Sequence, residues 1–145
     1  MTLDSLRGHV LEIGSSGRHE SYAKGVHVDV YEPSKKEKLK IDPDVDANVA
    51  LVDEIPNRKY DAVVVSYVYE LLGKTKAQQL SAILGARVRI DGLIITYAHP
   101  RPSFWTFITK KWTGRTMDDT EHGMRKVDSY KENGDLVNVY KRAVR

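Results

Sequence analysis

The sequence predicts an α/β fold, a doubly wound, mostly parallel sheet that ends in an antiparallel C-terminal β-hairpin. Three observations predict it. Four apolar runs, His9–Ile13 (HVLEI), Val26–Tyr31 (VHVDVY), Asp61–Val68 (DAVVVSYV) and Leu93–Ala98 (LIITYA), suit strands of a parallel sheet covered on both faces. Helical candidates fall between these runs, as parallel crossovers require. Beyond the last run, Met124–Lys131 and Asp135–Arg142 flank Asn133-Gly134, the strongest short hairpin signal.

His9–Ile13 opens the sheet. In Val26–Tyr31, Val26, Val28 and Val30 alternate with His27, Asp29 and Tyr31, so one face of this strand is expected to be thinly covered. That face leaves room for a homo-oligomer contact. Asn48–Val52 is a weaker fifth strand. Thr75–Arg87 is the best helix, with Ala77, Leu80, Ile83 and Leu84 on one face at helical spacing. Ser16–Lys24 and Ser34–Lys40 supply at most a couple of turns each, and Asp91-Gly92 reads as a tight turn into Leu93–Ala98. The closing hairpin argues against a dinucleotide-binding domain, which needs a second βαβ half.

The 145 residues fit one domain, 1–145, large enough to bury a core without metal or disulfide staples. The absence of cysteine excludes a disulfide scaffold, a thiolate metal site and a cysteine nucleophile. No apolar run approaches the roughly 18 residues of a membrane span, and MTLDSLRGHV has no charged region leading into an apolar one. The expectation is a cytoplasmic protein without a membrane partner. The net charge of +3 comes from 23 basic and 20 acidic residues, mostly an ordinary solvated surface. Ser34–Lys40 is locally basic. So is Arg101–Met117, where Arg101, Lys110, Lys111 and Arg115 are interleaved with Phe104, Trp105, Phe107 and Trp112. That segment reads either as a nucleic-acid contact or as an amphipathic lid whose aromatics are core.

Val10-Leu11-Glu12-Ile13-Gly14-Ser15-Ser16-Gly17 runs from a strand into a glycine-containing turn and then a helix. Glycine there lets the backbone approach a ligand, and a helix N-terminus offers N–H donors. Glu32, 18 residues after Gly14 and followed by Pro33, ends the next strand, where an acid can accept hydrogen bonds from ribose hydroxyls. Glu12 would repel a pyrophosphate at this turn. It suits a ligand that is cationic there, such as S-adenosylmethionine with its ammonium and sulfonium; otherwise it is a solvated strand-end glutamate.

In these features the chain resembles the class I S-adenosylmethionine-dependent methyltransferases, a Rossmann-like family, over about Leu6 to Pro100. VLEIGSSGRH is similar to the family's first motif and VHVDVYEPS to its second strand. DEIPNRKYDAVVVSYVYELL is similar to the approach to its fourth strand, and ARVRIDGLIITYAHP to its fifth-strand motif. The resemblance implies S-adenosylmethionine as cofactor, held by Glu12, Gly14, Ser15, Ser16 and Gly17 at the methionine end. It implies Glu32 and Pro33 at the ribose, Val52 and Asp53 along the adenine, and Ser66 and Tyr67 beneath the methyl group. Ser66 also reads as a strand end, Tyr67 and Tyr69 as packing aromatics, and Asp53 as a turn residue. The chain departs from the family at Ser16 and Arg18, where glycine is usual, and at Leu51, where an acid often contacts adenine.

Methyl transfer from a sulfonium needs the acceptor held in line and water excluded, while a general base is optional. Tyr67, Tyr97 and His99 are the candidates near the ends of the central strands, although a histidine in an Ala-His-Pro-Arg-Pro loop is more often a plain surface residue. His9, His19, His27, His99 and His122 show no metal-ligand spacing, and no metal is expected. No Gly-x-x-x-x-Gly-Lys-Ser/Thr phosphate loop or triad context is present. Two readings remain: methyl transfer to a small molecule, protein or RNA, and a catalytically inactive methyltransferase-like binding or regulatory module.

Overall fold

The computed structural model describes residues 3–14, 22–31, 49–50, 55, 58–69, 74–99, 116–117 and 123–143. The apolar run at the start of the chain forms β1 (His9–Ile13), whose Val10, Leu11 and Ile13 are wholly withdrawn from solvent. Burial on both faces forces β1 into the middle of a sheet. It pairs in parallel with β2 (His27–Tyr31) on one side and β4 (Tyr60–Ser66) on the other. β3 (Val49–Ala50) extends the sheet beyond β2, and β5 (Val88–Ala98) lies parallel to β4. The hairpin strands are β6 (Met124–Glu132) and β7 (Asp135–Arg142). Strand β7 inserts antiparallel between β5 and β6, giving the order β3-β2-β1-β4-β5-β7-β6.

The expected elements are present with shifted limits. The second run starts at His27, the fourth-strand run spans Tyr60–Ser66, and the fifth-strand run starts earlier, at Val88. The helix, α1 (Lys74–Arg87), gains one residue. Of Ser16–Lys24, the described residues 22–24 form a bend and a turn, while Ser34–Lys40 lies outside the described residues.

Asp91-Gly92 is a bulge inside β5, not a turn ahead of it. Tyr60 pairs with Val88 and Ala62 with Leu93, so two steps on β4 oppose five on β5. Asp91 takes the left-handed conformation (φ 65°), and a Cβ at Gly92 would meet Arg89 O at 2.7 Å. At the hairpin, Asn133 (φ 51°) and Gly134 (φ 85°) both have positive φ, the signature of a two-residue type I′ turn.

Alternation along the strands divides the core in two. Leu11, Ile13, Val63, Val65, Ile94 and Tyr140 face one side, covered by Ala77, Leu80 and Leu84 of α1. Val10, Val28, Val30, Val64, Ile95 and Val139 face the other, with Leu3 and Leu6 from the chain's first turn. Met117, the buried end of the expected lid, joins the first core, and its carbonyl accepts from Tyr140 Oη at 3.1 Å.

Alternation predicts that the polar face of β2 is thinly covered: His27 on that face is exposed, whereas Asp29 is shielded. Asp29 is only 3% exposed because Tyr60 reaches across from β4 and donates its hydroxyl to Asp29 Oδ2 at 2.8 Å. His27 Nε2 approaches Oδ1 at 3.1 Å, and Arg58 Nη1 lies 3.7 Å from Oδ2. A buried carboxylate is tolerated only with such partners. Replacing Tyr60 with Phe should therefore destabilise the fold by about 2 kcal/mol, by withdrawing a donor from a buried acid. Urea unfolding measures it.

Tyr69, just past β4, shares a 2.8 Å hydrogen bond with Ser81 of α1. Burial pushes its phenol well above its ordinary value, against the smaller lowering effect of Ser81. The unfolded chain ionises this tyrosine near pH 10, whereas the folded chain keeps it neutral. Its contribution to stability is complete below about pH 10 and is lost as the pH rises towards the folded value, at up to about 1.4 kcal/mol per pH unit. Tyr69→Phe should flatten that alkaline decline in unfolding curves taken between about pH 9 and 11.

Candidate functional site

The sheet reverses its direction of growth between β1 and β4: the chain builds outward through β2 and β3, then returns to β1's other edge. In open α/β sheets, ligands bind at the carboxyl ends of the strands beside such a switch point. Here those ends are Ile13-Gly14 and Ser66-Tyr67.

Gly14 has φ 85°, and a Cβ there would collide with the Ser66 carbonyl oxygen and approach Val68 Cγ2 to 3.2 Å. Its glycine is thus demanded by the backbone at the end of β4. Glu12, two residues earlier, is 3% exposed and accepts a hydrogen bond from Tyr22 Oη at 2.9 Å. It is a buried carboxylate, not the solvated strand-end glutamate of the alternative reading. An acid so withdrawn from water is stabilised by donors or a cation facing it. Tyr22 is one such donor, and the charge of a ligand ammonium would suit the same acid, so Glu12 fits S-adenosylmethionine.

At the end of β4, Ser66 is buried and Tyr67 adopts a left-handed conformation, φ 58°. Tyr97, Asp135 and His99 each hold Tyr67 there. Its N–H donates to Tyr97 O at 2.8 Å, its hydroxyl hydrogen-bonds to Asp135 Oδ2, and its ring stacks on His99 with centroids 4.1 Å apart. His99 Nδ1 lies 3.6 Å from Asp135 Oδ1. The Tyr97 ring is buried in the second core, so it is Tyr97's carbonyl that serves this cluster. Tyr67 and His99, placed separately by the sequence reading, therefore meet. Asp135 was missed: it reads as the first residue of a hairpin strand, and only the pairing of Ala98 with Leu136 brings it beside His99.

Ser15, Ser16, Gly17, Glu32, Pro33, Val52 and Asp53 lie outside the described residues, as do Arg101, Lys110, Lys111 and Arg115. Among the described residues no group of His, Asp and Glu could hold a metal, and no helix is long and apolar enough to cross a membrane. A cavity of about 300 Å³ lined by Leu6, Arg7, Asp61, Arg89 and Gly92 opens at the opposite, amino-terminal end of the strands, away from the switch point.

Solved structures share this architecture. The N-methyltransferase NodS from Bradyrhizobium japonicum WM9 superposes with a TM-score of 0.65 at 12% identity, over 94% of this chain and 86% of NodS. An S-adenosylmethionine-dependent methyltransferase from Mesorhizobium loti gives 0.66 at 14% identity, over 97% and 92% of the two chains. The fold is that of the S-adenosylmethionine-dependent methyltransferases. DhpI in complex with SAH is similar at a TM-score of 0.64 and 16% identity, over 96% of this chain and 78% of DhpI. No protein-family model matches the chain, and no curated protein matches it in sequence. The likeness to this methyltransferase-like fold lies in the path of the chain, with few identical residues.

The β1–β4 junction gives a direct test of the site's framework. Gly14→Ala adds a side chain against Ser66 O in a conformation that alanine disfavours. It should cost about 1–3 kcal/mol in chemical denaturation, more than an alanine at the open Gly25.

Proposed function

We propose that this protein binds S-adenosylmethionine at the carboxyl ends of β1 and β4 and transfers its methyl group to an acceptor. The observation that carries this reading is Glu12, a buried carboxylate at the switch point of a methyltransferase-like sheet. When bound, the cofactor supplies an electrophilic methyl group on a sulfonium, so the protein need only bind, orient and exclude water. Glu12, with Tyr22 fixing its orientation, holds the ammonium; Gly14 and Ser66 bring two strand ends into contact beneath it. Glu32 takes the ribose hydroxyls, Pro33, Val52 and Asp53 continue along the nucleoside, and Tyr67 borders the methyl group. SAH bound to the structurally similar DhpI supports the same ligand class here.

Calorimetric titration with S-adenosylmethionine and S-adenosylhomocysteine tests the site. Binding is expected, and Glu12→Gln should weaken it about tenfold or more, the equivalent of one charge-assisted contact. Heat changes absent for both ligands would remove the reading. Transfer of a tritiated methyl group to components of a cell extract tests turnover. Affinity without any labelled acceptor would favour the inactive binding module instead.

A further inference from the structure

We propose that Tyr67, His99 and Asp135 form a proton-accepting unit on the acceptor side of the proposed cofactor site, and that the acceptor is a hydroxyl group that keeps its proton at neutral pH. The inference rests on the methyl-transfer reading above and adds the acceptor's chemistry to it.

The geometry is that of a base held by an acid. Asp135, the first residue of β7, sits beside the end of β5 because the two strands run antiparallel with Ala98 opposite Leu136. One of its carboxylate oxygens receives the Tyr67 hydroxyl, and the other faces His99 Nδ1 at 3.6 Å. A carboxylate on that side favours the Nδ1–H tautomer, which makes Nε2 the basic nitrogen. Stacking on Tyr67, with ring planes only 8° apart, fixes the imidazole's tilt. The Asp135 side chain is 16% exposed while that of His99 is 54% exposed, so the acid is sheltered and the base can be reached from solvent.

Tyr67 pays a conformational cost to occupy this place. A non-glycine residue with φ 58° at a strand end persists only where its surroundings over-determine it, and such residues cluster at functional sites. Here a main-chain hydrogen bond, a carboxylate and a stacked ring all hold the same residue. Packing alone would need neither the carboxylate nor the imidazole.

The chemistry follows from where the protons go. A lone pair on the acceptor oxygen forms the bond to the methyl carbon as the carbon–sulfur bond breaks and its electron pair leaves on sulfur. The acceptor's proton passes to His99 Nε2, and the resulting imidazolium is balanced by Asp135 until solvent takes the proton. His99 is the catalytic residue; Asp135 and Tyr67 are positioning residues. A nucleophile that is already deprotonated gains little from such a unit, and a hydroxyl gains most.

Three measurements on the full chain test the proposal. Nitrogen-15 NMR of labelled histidines, with the His99 signals assigned by their loss in His99→Gln, should show Nδ1–H in the wild type and a shift towards Nε2–H in Asp135→Asn. S-adenosylhomocysteine should bind both variants as it binds the wild type, which also shows that they fold. Labelled methyl transfer to phenol should fall about 100-fold or more in His99→Gln, with a much smaller fall for 4-nitrophenol at an alkaline pH where that probe is already ionised. An Nε2–H wild-type tautomer insensitive to Asp135→Asn would overturn the proposal, as would equal losses for the two phenols. Failure of either phenol to be methylated by a protein that binds S-adenosylhomocysteine would overturn it too, while leaving the cofactor site standing. Failure of the wild type to bind S-adenosylhomocysteine would instead overturn the methyl-transfer reading beneath it, and the histidine tautomer would remain readable.

Discussion

Burial of β1 and β4 on both faces is the constraint from which the rest of the structure follows. Val10, Leu11, Ile13, Val63 and Val64 can be withdrawn from water together only if both strands lie inside a sheet with layers above and below. Side by side and parallel, they finish at the same edge, and the chain's growth away from β1 in both directions places a switch point there. Gly14 then meets the Ser66 carbonyl because two parallel strand ends have converged. The position of the switch point is thus a consequence of core packing, before any ligand contact is considered.

What could be read from the chain alone was local. His9–Ile13 has the limits of the observed strand, α1 differs by one residue, and the Asn133-Gly134 turn is where the pattern places it. Each depends on periodicity or backbone preference within a few neighbours. The misplaced features depend on contacts between distant segments. Asp29 looks solvent-facing by alternation and is buried because Tyr60, 31 residues on, supplies a hydroxyl. Asp91-Gly92 has the composition of a turn, yet β4 continues to pair beyond it and makes it a bulge.

The same distinction runs through the site. Glu12 and Gly14 were legible because strand, acid and glycine are contiguous, and the acid's identity narrows the ligand by charge. The Tyr67–His99–Asp135 cluster was only half legible. Tyr67 and His99 end adjacent strands of a predicted parallel sheet, but Asp135 arrives through β7, whose insertion between β5 and β6 has no local signature. A hairpin signal fixes how two strands pair with each other and says nothing of which edge they join.

Tyrosine hydroxyls hold buried acids towards both ends of the sheet, and arginines join them at the amino-terminal end. At the amino-terminal end, Asp61 pairs with Arg89 at 3.2 Å and accepts the His9 N–H, and Asp29 lies within 3.7 Å of Arg58. Guanidinium groups there offset the acids' charge and tie loops to strands. At the carboxyl-terminal end, tyrosine hydroxyls hold Glu12 and Asp135, Tyr22 for the first and Tyr67 for the second. A phenol orients a carboxylate without cancelling its charge, whereas a guanidinium does both. A site for a cationic ligand is served by an acid oriented in this way, since it is fixed in direction and still negative.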